Sequence, residues 1–496
     1  MGLLTPTLPP YPGPFAVGTV ELEVPCPVPK AFPEIDSSVD TLLFRVFYPG
    51  VAPADGAGMH PHWFPDDRRT YLKNYITFLG YRASVASLLS RVPYITDALI
   101  PAWENIPLLP PPQTVPDASS AATPPPPKKW PVVIFSHGLG GTRNAYSQFC
   151  GSIASHGHIV VALEHREHSA PLTYVRNFGA KPGEPTRREV KFVRMMLVNE
   201  VARRLRTYQL VHRVHEVVSV VKVLLDDNIE LHPEVPFDWA QVDTRKEKVI
   251  YAGHSFGAAT AVATVKGVYN LLELLHQHKT APPPSNQTGQ EEVPSDYKLD
   301  AVDRANEYLR AQPAAALLLL DVWCLPIYET MAIPLTVPAV GIMSETFYAW
   351  KPQMNLVYQL LSNSCVPTEQ QPKTPLSRAL FLAKPSVHHS QSDFGLLFPT
   401  VTRYAFKLSD CTYETQAAVM SMNVSGCTEF LKTLGFTEYD VSEEHEGLVR
   451  TQSREEVPSQ PDKVLSKGYV VAGGKQQGWL KLEIKDDITV VDILSD

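Results

Sequence analysis

The segment at residues 249–260, VIYAGHSFGAAT, restricts the fold of this chain more than any other stretch. A short apolar run leads into the pattern Gly-His-Ser-Phe-Gly, and an alanine-rich stretch suited to a helix follows it. Where such a pattern joins a strand to a helix, the central serine is strained, and the residues two before and two after it must be small because the strand and the helix approach closely. The segment therefore predicts a sharp turn that holds the Ser255 hydroxyl above the edge of a sheet.

Strand-like and helix-like segments alternate along most of the chain. Runs of apolar and β-branched residues bounded by Pro or Gly predict strands, and apolar residues at helical spacing predict helices. The predicted strands are residues 20–24, 42–48, 132–135, 159–163, 249–252, 314–320, 339–343 and 379–383. The predicted helices are residues 66–92, 145–156, 187–226, 259–275 and about 400–435. This order predicts an α/β protein with a mostly parallel central sheet and helices on both faces, and the serine turn specifies the α/β-hydrolase fold.

A serine hydroxyl needs a base to become a good nucleophile, and the base needs a carboxylate that orients it. In the α/β-hydrolase fold the acid and then the histidine follow the serine along the chain. Asp321 comes directly after the predicted strand at 314–320, so we expect it at the same sheet edge as Ser255. Glu345, after the next strand, and Asp393 remain alternatives for the acid.

Two adjacent histidines, His388 and His389, follow the last predicted strand of the sheet, where this fold carries its base. The sequence favours His388 as the base but does not exclude His389. His254 lies inside the serine turn and is interpreted as structural, and His137 belongs to the loop after an earlier strand.

Acyl transfer also needs two backbone N–H groups that face the negative charge of the transition state. In this fold one comes from the residue after the nucleophile, here Phe256, and the other from a glycine-rich loop after an early strand. The segment FSHGLGG at residues 135–141 is such a loop, and Leu139 is the candidate for the second N–H.

Several other kinds of site are not expected. His165 and His168 could form a metal-binding pair, but a polar loop after a strand accounts for them better. The six cysteines show no CxxC spacing, and phosphate-loop, dinucleotide-binding and HExxH motifs are missing, so we expect no metal and no cofactor. With 44 basic and 52 acidic residues and no long basic block, nucleic acid is not an expected partner.

The chain is predicted to form one large domain, residues 1–436, followed by a C-terminal extension, 437–496, that is partly mobile. Proline-rich or polar sequence predicts loops at 108–129 and 276–310 within the domain.

No apolar run reaches the about 18 residues of a membrane helix, and the N-terminus lacks the pattern of a secretory signal. We therefore expect a cytoplasmic protein, with peripheral membrane contact as a further option. The sequence does not indicate an oligomeric state.

Five segments resemble the plasma and type II platelet-activating factor acetylhydrolases, which are calcium-independent phospholipases A2 of the α/β-hydrolase fold. They are FSHGLGGTRNAYS, IASHGHIVVALEHREHSA, GHSFGAAT, LLDVW and SVHHSQSDF. The resemblance runs from about residue 13 to about residue 436. The insertion at 276–310 and the tail beyond about 440 have no counterpart in it, and the plasma proteins' signal peptide and the type II myristoylation site are missing.

The resemblance implies a serine esterase that removes the short sn-2 acyl group of platelet-activating factor and of oxidised phospholipids. It implies Ser255 as nucleophile, Asp321 as acid and His388 as base, with the N–H groups of Leu139 and Phe256 as the oxyanion hole. It therefore agrees with the choices made from the residues and selects His388 over His389.

The resemblance also implies contact with lipid surfaces through amphipathic helices near the mouth of the site, which residues 66–92 would match. Packing of the same segment on the core is the alternative. Two other functions stay open: a carboxylesterase or polyester-cleaving hydrolase acting on non-lipid esters, and an inactive binding protein.

Overall fold

The structure is a computed structural model of the 496-residue chain. It describes residues 6–26, 40–112 (except 55, 57, 66 and 92–94), 128–193, 200–225, 239–271 (except 270), 309–362, 378–405, 412–436 and 478–481. Most of the predicted loops at 108–129 and 276–310 and most of the predicted extension at 437–496 lie outside the described residues.

The described residues form twelve strands, ten of them in one central sheet. In chain order they are β1 (Val17–Pro25), β2 (Thr41–Pro49), β3 (Trp103–Glu104), β4 (Val132–Ser136), β5 (Ile159–Glu164), β6 (Leu172–Arg176), β7 (Arg187–Lys191), β8 (Ile250–His254), β9 (Ala316–Leu320), β10 (Ala339–Met343), β11 (Arg378–Lys384) and β12 (Gly478–Lys481). The order across the sheet is β12-β11-β10-β9-β8-β4-β5-β2-β1-β3, and β6 and β7 form a separate antiparallel hairpin.

Six neighbouring strands, from β11 to β5, run parallel, and antiparallel strands flank them at both ends. The parallel strands are mostly apolar because both faces of such a sheet are covered. In β9, for example, all five residues of ALLLL are buried. The predicted mostly parallel sheet is therefore confirmed.

Helices cover both faces of this sheet. They are α1 (Arg68–Phe78), α2 (Ala83–Leu89), α3 (Ser147–Ser155), α4 (Glu200–Leu225), α5 (Phe256–Lys266), α6 (Glu345–Ala349), α7 (Lys351–Leu361), α8 (Asp393–Leu397), α9 (Pro399–Ala405) and α10 (Tyr413–Thr433). Side chains of α4, α5 and α7 join one core cluster, and those of α1, α3 and α10 join another. Val132 and Val133, adjacent on β4, belong to different clusters because successive side chains of a strand point to opposite faces.

Four predicted helices differ from the structure. The one at 259–275 begins earlier, as α5, and is interrupted at Gly267 (φ 79°), and the one at about 400–435 is interrupted at the extended Thr412, between α9 and α10. The helix predicted at 187–226 does not include residues 187–191, which form β7, whose Val190 is buried while its neighbours are exposed. This pattern of one inward side chain is typical of a hairpin strand, and the start at 187 was wrong. The described part of that helix is α4, Glu200–Leu225. The helix predicted at 66–92 is divided into α1 and α2, and Gly80, with φ 95°, lies between them.

No helix among the described residues is long and apolar enough to cross a bilayer.

The candidate residues all follow strands of the parallel group. The glycine-rich loop follows β4, Ser255 follows β8, Asp321 follows β9, and His388 comes four residues after β11. Since parallel strands end at the same edge of a sheet, the fold gathers these residues on one side of the molecule.

Candidate active site

Ser255 lies at the turn between β8 and α5. Its backbone has φ 57° and ψ −116°, a conformation that a residue with a side chain adopts only under strain. Two hydrogen bonds join the turn to the end of β9 and the residues after it. The Ser255 N–H donates to the Leu320 carbonyl at 2.9 Å, and the Trp323 N–H donates to the Ser255 carbonyl at 3.2 Å. The sharp turn predicted from the sequence is therefore present.

The glycines on either side of Ser255 make this turn sterically feasible. A Cβ at Gly253 would lie 2.3 Å from the carbonyl carbon of Gly257, and a Cβ at Gly257 would lie 1.8 Å from the Ser136 carbonyl oxygen. Both distances are far below van der Waals contact, so neither position accepts a side chain without moving α5 away from the sheet.

His388 and Asp321 form a hydrogen-bonded pair at the same sheet edge. His388 Nδ1 lies 2.9 Å from Asp321 Oδ2, and the carboxylate is buried while 26% of the imidazole side chain is exposed. A carboxylate only accepts, so Nδ1 carries the proton of the neutral ring and Nε2 keeps its lone pair. An imidazole in this tautomer can take a proton at Nε2. The residues alone do not exclude either His388 or His389 as the base. In the structure it is His388 that lies against the Asp321 carboxylate.

Ser344, which the sequence interpretation did not single out, holds the Asp321 carboxylate in place. Its N–H donates to Oδ1 and its hydroxyl donates to Oδ2, both at 2.6 Å. Ser344 directly follows β10, just as Asp321 directly follows β9, so the signal was available in the position of a polar residue at the next strand end. Together with His388, these donors satisfy both carboxylate oxygens.

Helix α6 forms the seat of the His388 ring. The ring of Phe347 stacks on it with a centroid separation of 4.3 Å and an interplanar angle of 5°. The His388 backbone N–H donates to Thr346 Oγ1 at 3.0 Å. The ring of His254 lies against it as well, at 4.3 Å. The imidazole is thus fixed in orientation by packing and by its hydrogen bond to Asp321.

The alternatives for the acid have other partners. Asp393 is fully buried and accepts hydrogen bonds from the Ser147 and Gln148 N–H groups at the start of α3, and from the Trp63 indole. Burial raises the pKa of Asp393 to about 6. Glu345 accepts the Ser386 N–H at 3.1 Å. Among the described residues, the carboxylate that binds His388 is that of Asp321.

The other histidines of the site are neutral and structural in their contacts. Burial lowers the pKa of His389 to about 3 and that of His254 well below its usual value. Tyr146 lies 2.8 Å from His254 Nδ1 through its hydroxyl, which also accepts the Gly138 N–H. His137 accepts the backbone N–H of His165 at Nε2, and burial lowers its pKa as well.

The N–H groups of Leu139 and Phe256 donate to no acceptor within the described part of the chain. Phe256 is the first residue of α5. At this end of a helix the backbone N–H groups have no partner inside the helix, and the positive end of the helix dipole lies there. In the loop that carries Leu139, the neighbouring Gly138 and Gly140 N–H groups are both engaged, with Tyr146 and with Ser169. Two unpaired donors therefore remain beside the Ser255 turn.

A metal ion has poor ligands here. Ligand atoms of His254, Asp321 and His388 lie within 4.8 Å of one another. However, His388 Nδ1 carries a proton, and both oxygens of Asp321 already accept hydrogen bonds. His165 and His168, the other possible metal-binding pair, have different partners. Glu216 binds His165 at 2.6 Å, and His168 is bonded to a backbone carbonyl.

Comparison with known sequences gives matches over much of the chain. Residues 4–273 match the family described as platelet-activating factor acetylhydrolase, isoform II. A putative phospholipase A2 of Schizosaccharomyces pombe is 25% identical over 447 residues, 81% of this chain and 86% of that protein. Platelet-activating factor acetylhydrolases of Gallus gallus and Cavia porcellus are 30% and 28% identical over 41% and 52% of this chain. The matches to these two cover only 46% and 52% of the vertebrate proteins.

Two esterases of known structure are similar to this chain at low identity. A ferulic acid esterase from Streptomyces cinnamoneus has a TM-score of 0.46 and 14% identity, and the match covers 86% of this chain and 92% of that one. An esterase of Thermogutta terrifontis has a TM-score of 0.32 and 12% identity over 63% of this chain and 86% of that one. The fold follows from the sheet itself.

Proposed function

The chain belongs to the platelet-activating factor acetylhydrolase family, isoform II, and from that premise we propose that it is a serine esterase of phospholipids. The proposed reaction is calcium-independent hydrolysis of the short sn-2 acyl ester of platelet-activating factor and related phospholipids. The observation that carries the proposal is the hydrogen-bonded His388–Asp321 pair at the sheet edge where the strained Ser255 stands.

In the proposed acylation, Ser255 Oγ attacks the sn-2 carbonyl carbon while His388 Nε2 takes the hydroxyl proton. The Asp321 carboxylate stabilises the imidazolium that forms. The carbonyl oxygen becomes an oxyanion and accepts hydrogen bonds from the Leu139 and Phe256 N–H groups. The intermediate collapses when the sn-2 C–O bond breaks and His388 returns its proton to the departing lysophospholipid oxygen.

In the proposed deacylation, water replaces the serine as nucleophile. His388 takes a proton from the water as it attacks the acyl-enzyme carbonyl, and the same two N–H groups bind the second oxyanion. Breakage of the Ser255 ester then releases the carboxylic acid, and His388 gives its proton back to Oγ. The cycle consumes one water and yields a lysophospholipid and a short-chain acid.

Helices α1 and α2 are the segment we propose for lipid-surface contact. The exposed apolar side chains are Leu79 and Tyr81 in the connection between the helices and Val85, Leu88 and Leu89 on α2. A Cβ at Gly140 would lie 2.5 Å from the Phe78 ring, so the end of α1 packs directly on the glycine-rich loop. An apolar patch beside the site supports delivery of substrate from a lipid surface.

A charged substitution in this patch tests the surface contact. Leu88 is 68% exposed, and we expect Leu88→Asp to lower turnover of vesicle-bound substrate about tenfold, roughly 1.4 kcal/mol of surface binding. Turnover of a soluble aryl ester should not change. Val401→Asp is the matched control, because Val401 is 54% exposed and lies on α9. Equal losses in both variants, or no loss in either, would contradict this role of α2.

The substrate class is tested by rates on phosphocholines whose sn-2 acyl chain is lengthened from acetyl to palmitoyl, with Ser255→Ala alongside. A steep fall beyond short chains, with no turnover in the variant, supports the proposal. Aryl-ester activity without lipid turnover would instead favour a carboxylesterase of non-lipid esters. The predicted cytoplasmic location stays a prediction, which imaging of a fluorescent fusion would test.

A further inference from the structure

Arg213 of α4 is a fully buried guanidinium beside the proposed oxyanion hole. Its Nη1 donates to the His137 carbonyl at 2.6 Å, and its Nη2 donates to Ser169 Oγ at 2.5 Å. Its Nε forms an ion pair with Glu167 at 2.5 Å, and neither side chain has any exposure. The mechanism proposed above does not use this residue.

One set of Arg213 contacts holds the glycine-rich loop. The loop begins at His137, whose carbonyl binds the guanidinium directly. It is held again at Gly140, whose N–H donates to the Ser169 carbonyl at 2.8 Å, while the Ser169 hydroxyl binds Arg213. Leu139 lies between these two anchored positions, with its N–H unpaired.

The other Arg213 contact reaches the serine turn. The guanidinium carbon lies 4.4 Å from the centroid of the Phe256 ring, a cation–π distance. Phe256 supplies the second proposed oxyanion donor through its backbone N–H. A single rigid side chain therefore touches both elements from which the two donors come, although the loop and the turn are more than 100 residues apart in sequence.

We propose that Arg213 is a positioning residue, which sets the distance between the Leu139 and Phe256 N–H groups. The proposal rests on the proposed function, because it assigns Arg213 to the same site. Arginine suits this role since its planar fork can bind three acceptors at its edges while an aromatic ring packs on its face. The charge is balanced by Glu167, so Arg213 acts through geometry.

Misplaced donors should weaken transition-state binding far more than substrate binding. Loss of a whole oxyanion donor costs about 10²–10³-fold in kcat, and misplacement of both should cost less. For Arg213→Lys, which keeps the charge and loses the fork, we expect kcat to fall about 10–100-fold with KM within about threefold. An aryl trifluoromethyl ketone, whose adduct with Ser255 carries the oxyanion, should lose affinity by the same factor as kcat/KM.

The matched control is Arg166→Lys. Arg166 is also buried and ion-paired, but its side chain binds Glu23 of β1 and Thr41 of β2, two strands that lie on the far side of β5 from the serine strand β8. It should lose stability with kcat changed less than about threefold. Because Arg213→Lys leaves a strained buried pair, the double variant Glu167→Gln/Arg213→Met, which removes both charges together, is measured too and should show the same kcat loss.

Folding of each variant is checked by near-UV circular dichroism, and kcat, KM and the ketone affinity are measured with an acetyl ester. A kcat loss confined to the Arg213 variants, matched by the loss of ketone affinity, supports the inference. Unchanged kcat in folded Arg213 variants, or an equal loss in Arg166→Lys, overturns it. An inactive wild-type protein would refute the proposed function instead, so the two failures are distinguishable.

Discussion

Replacing Asp321 with Asn changes one atom that decides the tautomer of His388. In the wild type the carboxylate accepts three donors: the Ser344 N–H, the Ser344 hydroxyl and His388 Nδ1–H. In Asp321→Asn the amide oxygen can still accept the Ser344 N–H, and the Ser344 hydroxyl can turn to accept from the amide NH₂. The same NH₂ then faces His388 Nδ1, which can accept from it only if the ring proton moves to Nε2.

The change of the His388 tautomer determines how much kcat should fall. A ring protonated at Nε2 cannot take the Ser255 proton, so the variant must work through a minor tautomer and without the charge that stabilises the imidazolium. For a carboxylate in this role the loss is about 10⁴-fold in kcat. We therefore expect a fall of about 10³–10⁴-fold, or about 4–5.5 kcal/mol at 1.4 kcal/mol for each factor of ten. The shape of the side chain is conserved, so KM should change little.

The assay is steady-state hydrolysis of an acetyl ester at pH 7 to 8, with a control in the same region. Asp393→Asn alters a carboxylate that is equally buried and five residues from His388, but whose partners are Trp63, Ser147 and Gln148. Its kcat should stay within about threefold of wild type. A loss of less than tenfold in Asp321→Asn, or a comparable loss in the control, would refute the assignment of Asp321 as the orienting acid.

Three further predictions follow from contacts in the site. Ser344→Ala removes one charge-assisted hydrogen bond from Asp321 and should lower kcat about 5–30-fold, from about 1–2 kcal/mol, in the same ester assay. Gly257→Ala places a methyl group 1.8 Å from the Ser136 carbonyl oxygen, so esterase activity and thermal stability should both be lost, as a melting curve would show. Burial raises the pKa of Asp393 from 3.8 to about 6, so the folded state holds this proton to a higher pH than the unfolded chain does. The free energy of unfolding of the wild type should therefore fall by about 3 kcal/mol relative to Asp393→Asn as the pH rises from about 4 to about 6, and parallel urea curves for the two proteins would contradict this.

The parts of the fold that a sequence can predict are those with a local pattern. The strand, the GHSFG turn and the helix after it are contiguous, and their steric requirements fall on adjacent residues. Asp321 and His388 were predicted from chain order, because strands that run parallel place their carboxyl ends together even when 67 residues separate two side chains. The geometry agrees with those choices, and the catalytic roles stay predictions until they are measured.

The parts that could not be predicted depend on contacts between distant segments. Residues 187–191 contain few apolar side chains, and their strand exists because it pairs with β6 across a hairpin. Arg213 reads in the sequence as one basic residue of a long helix, and its burial between a loop and a turn is set only by the packing of α4. Asp393 is a neighbour of His388 in sequence, but it binds the start of α3 through Ser147, from which it is separated by 246 residues.

The measurement that tests the central claim most directly is the intact mass of the protein after reaction with a fluorophosphonate, followed by peptide mapping. Such reagents phosphonylate a serine only where a base and an oxyanion hole activate it. We predict one adduct on Ser255 in the wild type and none in Ser255→Ala, with acetyl-ester hydrolysis lost in step with labelling. An unlabelled wild-type protein, or an adduct on a residue other than Ser255, would contradict the account.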